Sequence, residues 1–201
     1  MPHEPDWRQR KAPAHARAGD CLILGKALGL GLYRAAHDTG ELLAHDRTLL
    51  ANDRSQGDDS ACILACLNGV HAMVPVGAQG FLGALWSICQ AAGLRASLQL
   101  DHMPVLPSAM ALAERGLAET GWHWARRDAD HCWLAPSGQT LARAWQGVLS
   151  VPDDSGSLLV SCDQEAVTEV LSLFLQQDFN HAAVIGQLKK PGRYGSCIVF
   201  H

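Results

Sequence analysis

Apolar and polar positions follow two periods along this chain, 2 and about 3.6 residues, and the switches between them mark its elements. Cys21 to Gly25 (CLILG) is a short apolar run of strand length. A helix is predicted from about Leu30 to Leu43, with Gly29 and Gly31 at its mouth. A second covers about Ala61 to Leu67, and Val70 to Val76 then reads as a strand ended by Gly77. Phe81, Leu85, Ile88, Cys89 and Ala92 recur at helical spacing, with Gly93 as a C-terminal stop. Arg95 to Leu100 alternates, as a half-buried strand does, and Ser108 begins a helix expected to reach Ala118. Ser157 to Cys162 is a strand. Asp163 then caps a helix striped by Val167, Val170, Leu171, Phe174 and Leu175. Ala182 to Gln187 and Ser196 to Phe200 are the last strands. Leu49 to Ser60 (LLANDRSQGDDS) reads as a polar loop and Leu134 to Gly138 as a turn. Some strand neighbours look like hairpins. The expected class is therefore α+β, a mixed β-sheet packed against helices.

Composition narrows the function more than the fold. With 201 residues, 48% hydrophobic and 18% charged, the chain is not a disordered one. A net charge of -4 argues against a nucleic-acid binder held by a basic face. Residues 1–18 hold Arg8, Arg10, Lys11 and Arg17 against Glu4 and Asp6, with three prolines. They are expected to be a polar tail or lead-in strand, and residues 19–201 a single domain. Ser60 to Leu94 carries no charge and is long enough to cross a bilayer. Asn68, His71, Pro75, Gln79 and Gln90 break it up, so no membrane span is expected. Seven scattered cysteines and no apolar leader suggest reduced thiols in a cytoplasmic protein.

Several clusters could carry chemistry. Gly25-Lys26-Ala27-Leu28-Gly29-Leu30-Gly31 joins a strand to a helix. Its glycines could open backbone N–H groups to an anion that Lys26 neutralises, or could simply make a tight turn. Cys62 and Cys66 share a helix face, as metal ligands or as core cysteines. Adjacent His131 and Cys132 point in different directions, which disfavours a nucleophile–base pair. Trp122 and Trp124, around His123, alternate like packing residues of a strand. Asp153-Asp154-Ser155-Gly156-Ser157 is a turn that could also meet a cation or phosphate.

Five segments, in order, resemble one family. Gly19 to Gly31 (GDCLILGKALGLG) resembles the GD-x-L-x-L-T-K-P-L-G-T-G segment of selenophosphate synthetase (selenide, water dikinase). Gly69-Val70-His71-Ala72, leading to Gly80-Phe81-Leu82-Gly83, is similar to the stretch holding D-V-T-G-F-G-L-L-G-H. Pro104 to Pro107 with Ala109 and Leu112 resembles P-L-L-P-G-A-L-E-L-A. Pro152 to Leu159 resembles D-P-Q-T-S-G-G-L-L, and His181 to Gly186 resembles A-x-x-I-G-x-V.

That resemblance implies the C-terminal half of a member of the aminoimidazole ribonucleotide synthetase superfamily. It implies ATP-driven phosphoryl transfer to selenide with Mg²⁺ shielding the phosphates. Lys26, Gly29, Gly31, Ser155 and Gly156 are the implied nucleotide-binding positions. No metal ligand and no catalytic residue is assigned. The family's metal-binding Asp of D-V-T-G-F-G falls on Pro75, its Thr-Gly-Phe on Gly77-Ala78-Gln79, and the Thr and second Gly of T-S-G-G on Asp154 and Ser157. The chain is therefore expected to be inactive alone and to seek a separate N-terminal-half chain or to self-associate. The other expectation is a non-catalytic domain that binds an anion, a nucleotide or another protein.

Overall fold

The computed structural model describes residues 6–52, 57–117, 133–134, 141–153, 155–192 and 198–201. Among the described residues, seven strands form one sheet: β1 (Cys21–Leu24), β2 (Val70–Pro75), β3 (Arg95–Leu98), β4 (Trp133–Leu134), β5 (Leu158–Cys162), β6 (Ala183–Lys189) and β7 (Ile198–Phe200). Their order is β2-β5-β1-β6-β3-β7-β4. The first four neighbouring pairs are antiparallel, whereas β3/β7 and β7/β4 pair parallel. The sheet is mixed, as expected.

Strand alternation sorts the core into two layers. In β1, Leu22 and Leu24 join one apolar cluster and Ile23 the other. In β5, Leu159 opposes Leu158 and Val160 in the same way. The first face is covered by α2 (Leu30–Asp38), α5 (Gly80–Ala92), α6 (Ala109–Glu114) and α7 (Arg143–Ser150). The second is covered by α4 (Gly57–Ala65) and α8 (Val167–Gln176). Fully burying one Leu or Phe contributes roughly 1.5–3 kcal/mol, and Leu22, Ile23, Leu24, Leu82, Leu85 and Phe174 are all fully buried.

Several elements differ from the sequence expectation. The supposed polar loop is helical on both flanks: α3 (Ala44–Asn52) enters it and α4 starts at Gly57. The cause is tertiary, because buried Asp46 in the first turn of α3 accepts a 2.8 Å hydrogen bond from Tyr33 Oη. Helix α2 stops at Asp38, where the Thr39 hydroxyl lies 3.2 Å from the carbonyls of Ala35 and Ala36, and Gly40 turns the chain at φ +76°. Helix α7 was not anticipated, although Ala144 and Val148 carry its four-residue spacing. Ser108 and Asp163 precede helical turns without making a side-chain cap. The N–H of Ser108 instead donates to Tyr33 Oη at 3.3 Å. The tryptophan pair at 122 and 124, His131, Cys132, Asp154 and positions 135–138 of the expected turn lie outside the described residues.

The N-terminal segment, expected as a polar tail or lead-in strand, is docked from residue 6 onward. Helix α1 (Trp7–Arg10) buries Trp7 in the second apolar cluster. The Met73 N–H donates to the Lys11 carbonyl at 2.9 Å, so this segment covers part of the free edge of β2. Lys11 Nζ donates to the carbonyls of Leu67 and Val70 at 2.8 and 2.6 Å. Burial lowers its pKa, with the neighbouring Arg10 charge acting the same way.

Candidate functional site

Strands β1 and β2 flank β5 and both run opposite to it, so their ends meet its beginning. Three loops converge there. The Gly25 and Val76 N–H groups donate to Leu158 O and Ser157 O at 2.9 and 2.8 Å. The Asp153 N–H donates to Gly77 O at 3.0 Å. The Lys26 N–H donates to Ser157 Oγ at 3.3 Å, and Lys26 Nζ donates to Ser155 O at 2.5 Å. The ammonium also lies 5.2 Å from the Phe179 ring centre, a cation–π contact. Lys26 and Ser155, 129 positions apart, are thus brought into direct contact.

The glycines of the loop have packing roles. Gly29 sits at φ +114°, and a Cβ there would come within 2.4 Å of Ala109 Cβ. A Cβ on Gly31 would fall 2.0 Å from the Pro152 carbonyl oxygen. Loop amides are also committed within the chain, with Leu28 N donating to Pro104 O at 2.8 Å as well as the Gly25 and Lys26 bonds above. Gly156 turns the third loop at φ +75°. Among the described residues, Ser155 is one feature at this end that points to a ligand, beside the buried carboxylate of Asp153. The Ser155 Oγ is buried and has no hydrogen-bond partner, while its N–H donates to Asp153 Oδ1 at 2.9 Å.

A lysine ammonium and an unpartnered hydroxyl suit a phosphate-like anion. Lys26 and Ser155 do not suit Mg²⁺, which takes carboxylate and water oxygens, and the carboxylate beside them is that of buried Asp153, one oxygen of which accepts from the Ser155 N–H. Pro75 is exposed at the end of β2 and has no side-chain ligand atom. Among the described residues, no cluster of three His, Cys, Asp or Glu side chains with metal-ligand spacing lies here.

Such a cluster does lie at the opposite end of the same strands, built from Asp20, His71 and Asp163, with one ligand atom of each within 4.8 Å of the others. Asp20 and His71 are buried, and Asp163 is partly exposed. His71 Nδ1 is 2.9 and 3.0 Å from the two Asp20 oxygens, and its Nε2 is 3.4 Å from Asp163 Oδ2. Sequence reasoning missed this cluster. Its members are far apart in the chain, and Asp163 reads locally as a helix cap. The exposed Cys62 and Cys66 do not join it.

Loops gathered at one end of a mixed, helix-covered sheet define a recognisable class. The chain belongs to the family described as AIR synthase related protein, C-terminal domain, whose model matches residues 17–196. Within that class it is similar to selenide, water dikinase of Dechloromonas aromatica (strain RCB). The two are 40% identical over 190 residues, which is 90% of this chain and 52% of the relative. The chain spans about half the length of the curated relatives it matches. Thiamine-monophosphate kinase from Stenotrophomonas maltophilia K279a shares the fold at a TM-score of 0.65 and 18% identity, covering 94% of this chain and 52% of that one. The hydrogenase maturation protein HypE in complex with ATP matches at 0.63 and 18%, covering 90% and 46%. No described helix is long and apolar enough to cross a membrane.

Proposed function

We propose that this chain is the C-terminal wall of the nucleotide cleft of a selenide, water dikinase-type phosphotransferase, acting in the cytoplasm with a complementary N-terminal half. The reading is carried by the meeting of Lys26 with the Pro152–Ser157 loop beside the end of β2. In it, Lys26 and Ser155 face the phosphates of ATP, while Gly29, Gly31 and Gly156 shape the loops that hold them. Mg²⁺ ligands come from the phosphates, water and the other half, because Pro75 supplies none. The chain alone makes no selenophosphate.

Pro75 also favours a second reading, in which the domain binds a phosphate-like anion or a partner protein without catalysing anything. One set of measurements separates the two. Selenide-dependent ATP hydrolysis is assayed with the chain alone and with the N-terminal half of the Dechloromonas aromatica relative. Association of the two is followed by light scattering. The expected result is no turnover alone and a stable complex with the added half. Lys26→Ala is expected to weaken ATP binding by up to about fivefold, from on the order of 1 kcal/mol for one exposed charge interaction. Turnover by the isolated chain refutes the inactivity. Failure to associate, with no effect at Lys26, refutes the cleft-wall reading.

A further inference from the structure

We propose that His71 Nε2 and the Asp163 carboxylate, with Asp20 holding the imidazole from behind, form a binding site for a divalent transition-metal ion of the Zn²⁺ type. The site lies at the end of β1, β2 and β5 remote from Lys26, at most about 20 Å away for the steps from Asp20 to Lys26 at the strand rise of roughly 3.3 Å per residue. It does not depend on the proposed function.

The orientation of the imidazole carries the argument. Both Asp20 oxygens lie within hydrogen-bond distance of His71 Nδ1. Asp20 is itself fixed, accepting from the Ser161 hydroxyl at 2.5 Å and from the Arg17 N–H at 2.9 Å. A carboxylate so held fixes the ring with Nδ1 toward Asp20 and Nε2 toward Asp163, the orientation found in carboxylate–histidine–metal arrangements. The ring is buried, so it cannot swing away to water.

Spacing is the second observation. Nε2 and Asp163 Oδ2 are 3.4 Å apart, longer than the usual 2.9–3.0 Å of an N–H···O bond. Two ligands at about 2.0–2.1 Å from a tetrahedral Zn²⁺ are separated by about 3.3 Å. An ion therefore fits between them with little movement. A nitrogen with a carboxylate oxygen favours Zn²⁺ or Co²⁺ over Mg²⁺ or Ca²⁺, which prefer all-oxygen sites. The Asp163 side chain is 49% exposed, which leaves the outer coordination positions to water.

The full chain is titrated with Zn²⁺ by calorimetry and with Co²⁺ by visible absorption near neutral pH. One equivalent is expected to bind, with a Co²⁺ spectrum of nitrogen and oxygen ligation and no thiolate charge-transfer band. Asp163→Asn, at a half-exposed position where the fold should hold, is expected to cost about tenfold or more in affinity. Lys26→Ala is expected to leave the Zn²⁺ affinity unchanged. The ¹⁵N resonance of His71 Nε2 should move on Zn²⁺ addition far more than that of Nδ1. The proposal is overturned if no ion binds, if Asp163→Asn binds as the parent does, or if thiolate bands appear and vanish with Cys62→Ser and Cys66→Ser.

Discussion

Replacing Gly29 by alanine separates a packing role for the β1–α2 loop from a ligand-cradling one. Two costs apply to Gly29→Ala. The backbone sits at φ +114°, and holding an L-residue in such a sparsely populated region costs about 1–3 kcal/mol. The new Cβ lies 2.4 Å from Ala109 Cβ, and overpacking of that kind costs about 1–3 kcal/mol more. Together they give about 2–6 kcal/mol, a large part of the 5–15 kcal/mol typical of a whole domain. Gly40→Ala isolates the first cost, since Gly40 has φ +76° and open space around it. Gly77→Ala removes both, with no positive φ and nothing within 4 Å, and should stay within about 0.5 kcal/mol of the parent. Urea denaturation followed by far-UV circular dichroism should rank the midpoints Gly77→Ala, Gly40→Ala, Gly29→Ala in descending order, with unchanged slopes. In thermal melts each kcal/mol corresponds to about 2–4 °C for a chain of this size. If Gly29→Ala unfolds where Gly77→Ala does, the close approach to Ala109 is not holding the loop and the packing account is wrong.

Two further outcomes follow from buried titrating groups. Tyr33 is pushed up to about 12, first by burial and then by its hydrogen bond to Asp46. The unfolded phenol ionises near 10 and the folded one does not, so the folded state holds the extra proton and stability falls as pH rises from about 10 to 12. The stability difference between parent and Tyr33→Phe should shrink across that window, and a difference independent of pH there would contradict the assignment. Cys162 is also raised to about 12, mainly by burial, with Cys21 and the acidic neighbours adding to it. In native protein a thiol reagent followed by peptide mass spectrometry should modify the exposed Cys62 and Cys66 quickly, and Cys162 and Cys89 only on unfolding. Labelling of Cys162 at the rate of Cys62 would show that its strand opens freely.

Much of the fold was legible because its signals are local. The apolar run at Cys21–Leu24, the stripe from Val167 to Phe174 and the stop at Gly93, whose φ is +65°, each need only near neighbours in sequence, although Leu175, expected in that stripe, is exposed. The α+β class and its family could be read from such segments in order. Helix α3 was missed because its Leu49–Asn52 portion looks like loop, and its anchor is the buried Asp46 bonded to Tyr33 on another helix. The glycines at 29 and 31 were visible in the sequence, but their reason was not. It lies in Ala109 and Pro152, which approach only once the helices are packed.

The two ends of the sheet show the same division. The sequence by itself marked Lys26, Ser155 and Gly156 as candidates, through motifs within two separate stretches. Tertiary structure decided that Lys26 meets Ser155, because antiparallel pairing of β1 with β5 sets the end of one strand beside the start of the other. The same register sets Cys21 opposite Cys162, and the pairing of β2 with β5 sets Val70 opposite Cys162. That carries Asp20, His71 and Asp163 to one point from positions that no local pattern connects. Hydrophobic periodicity specifies which face of an element is buried, whereas strand register specifies which polar side chains meet at its ends, and register exists only after the sheet has formed.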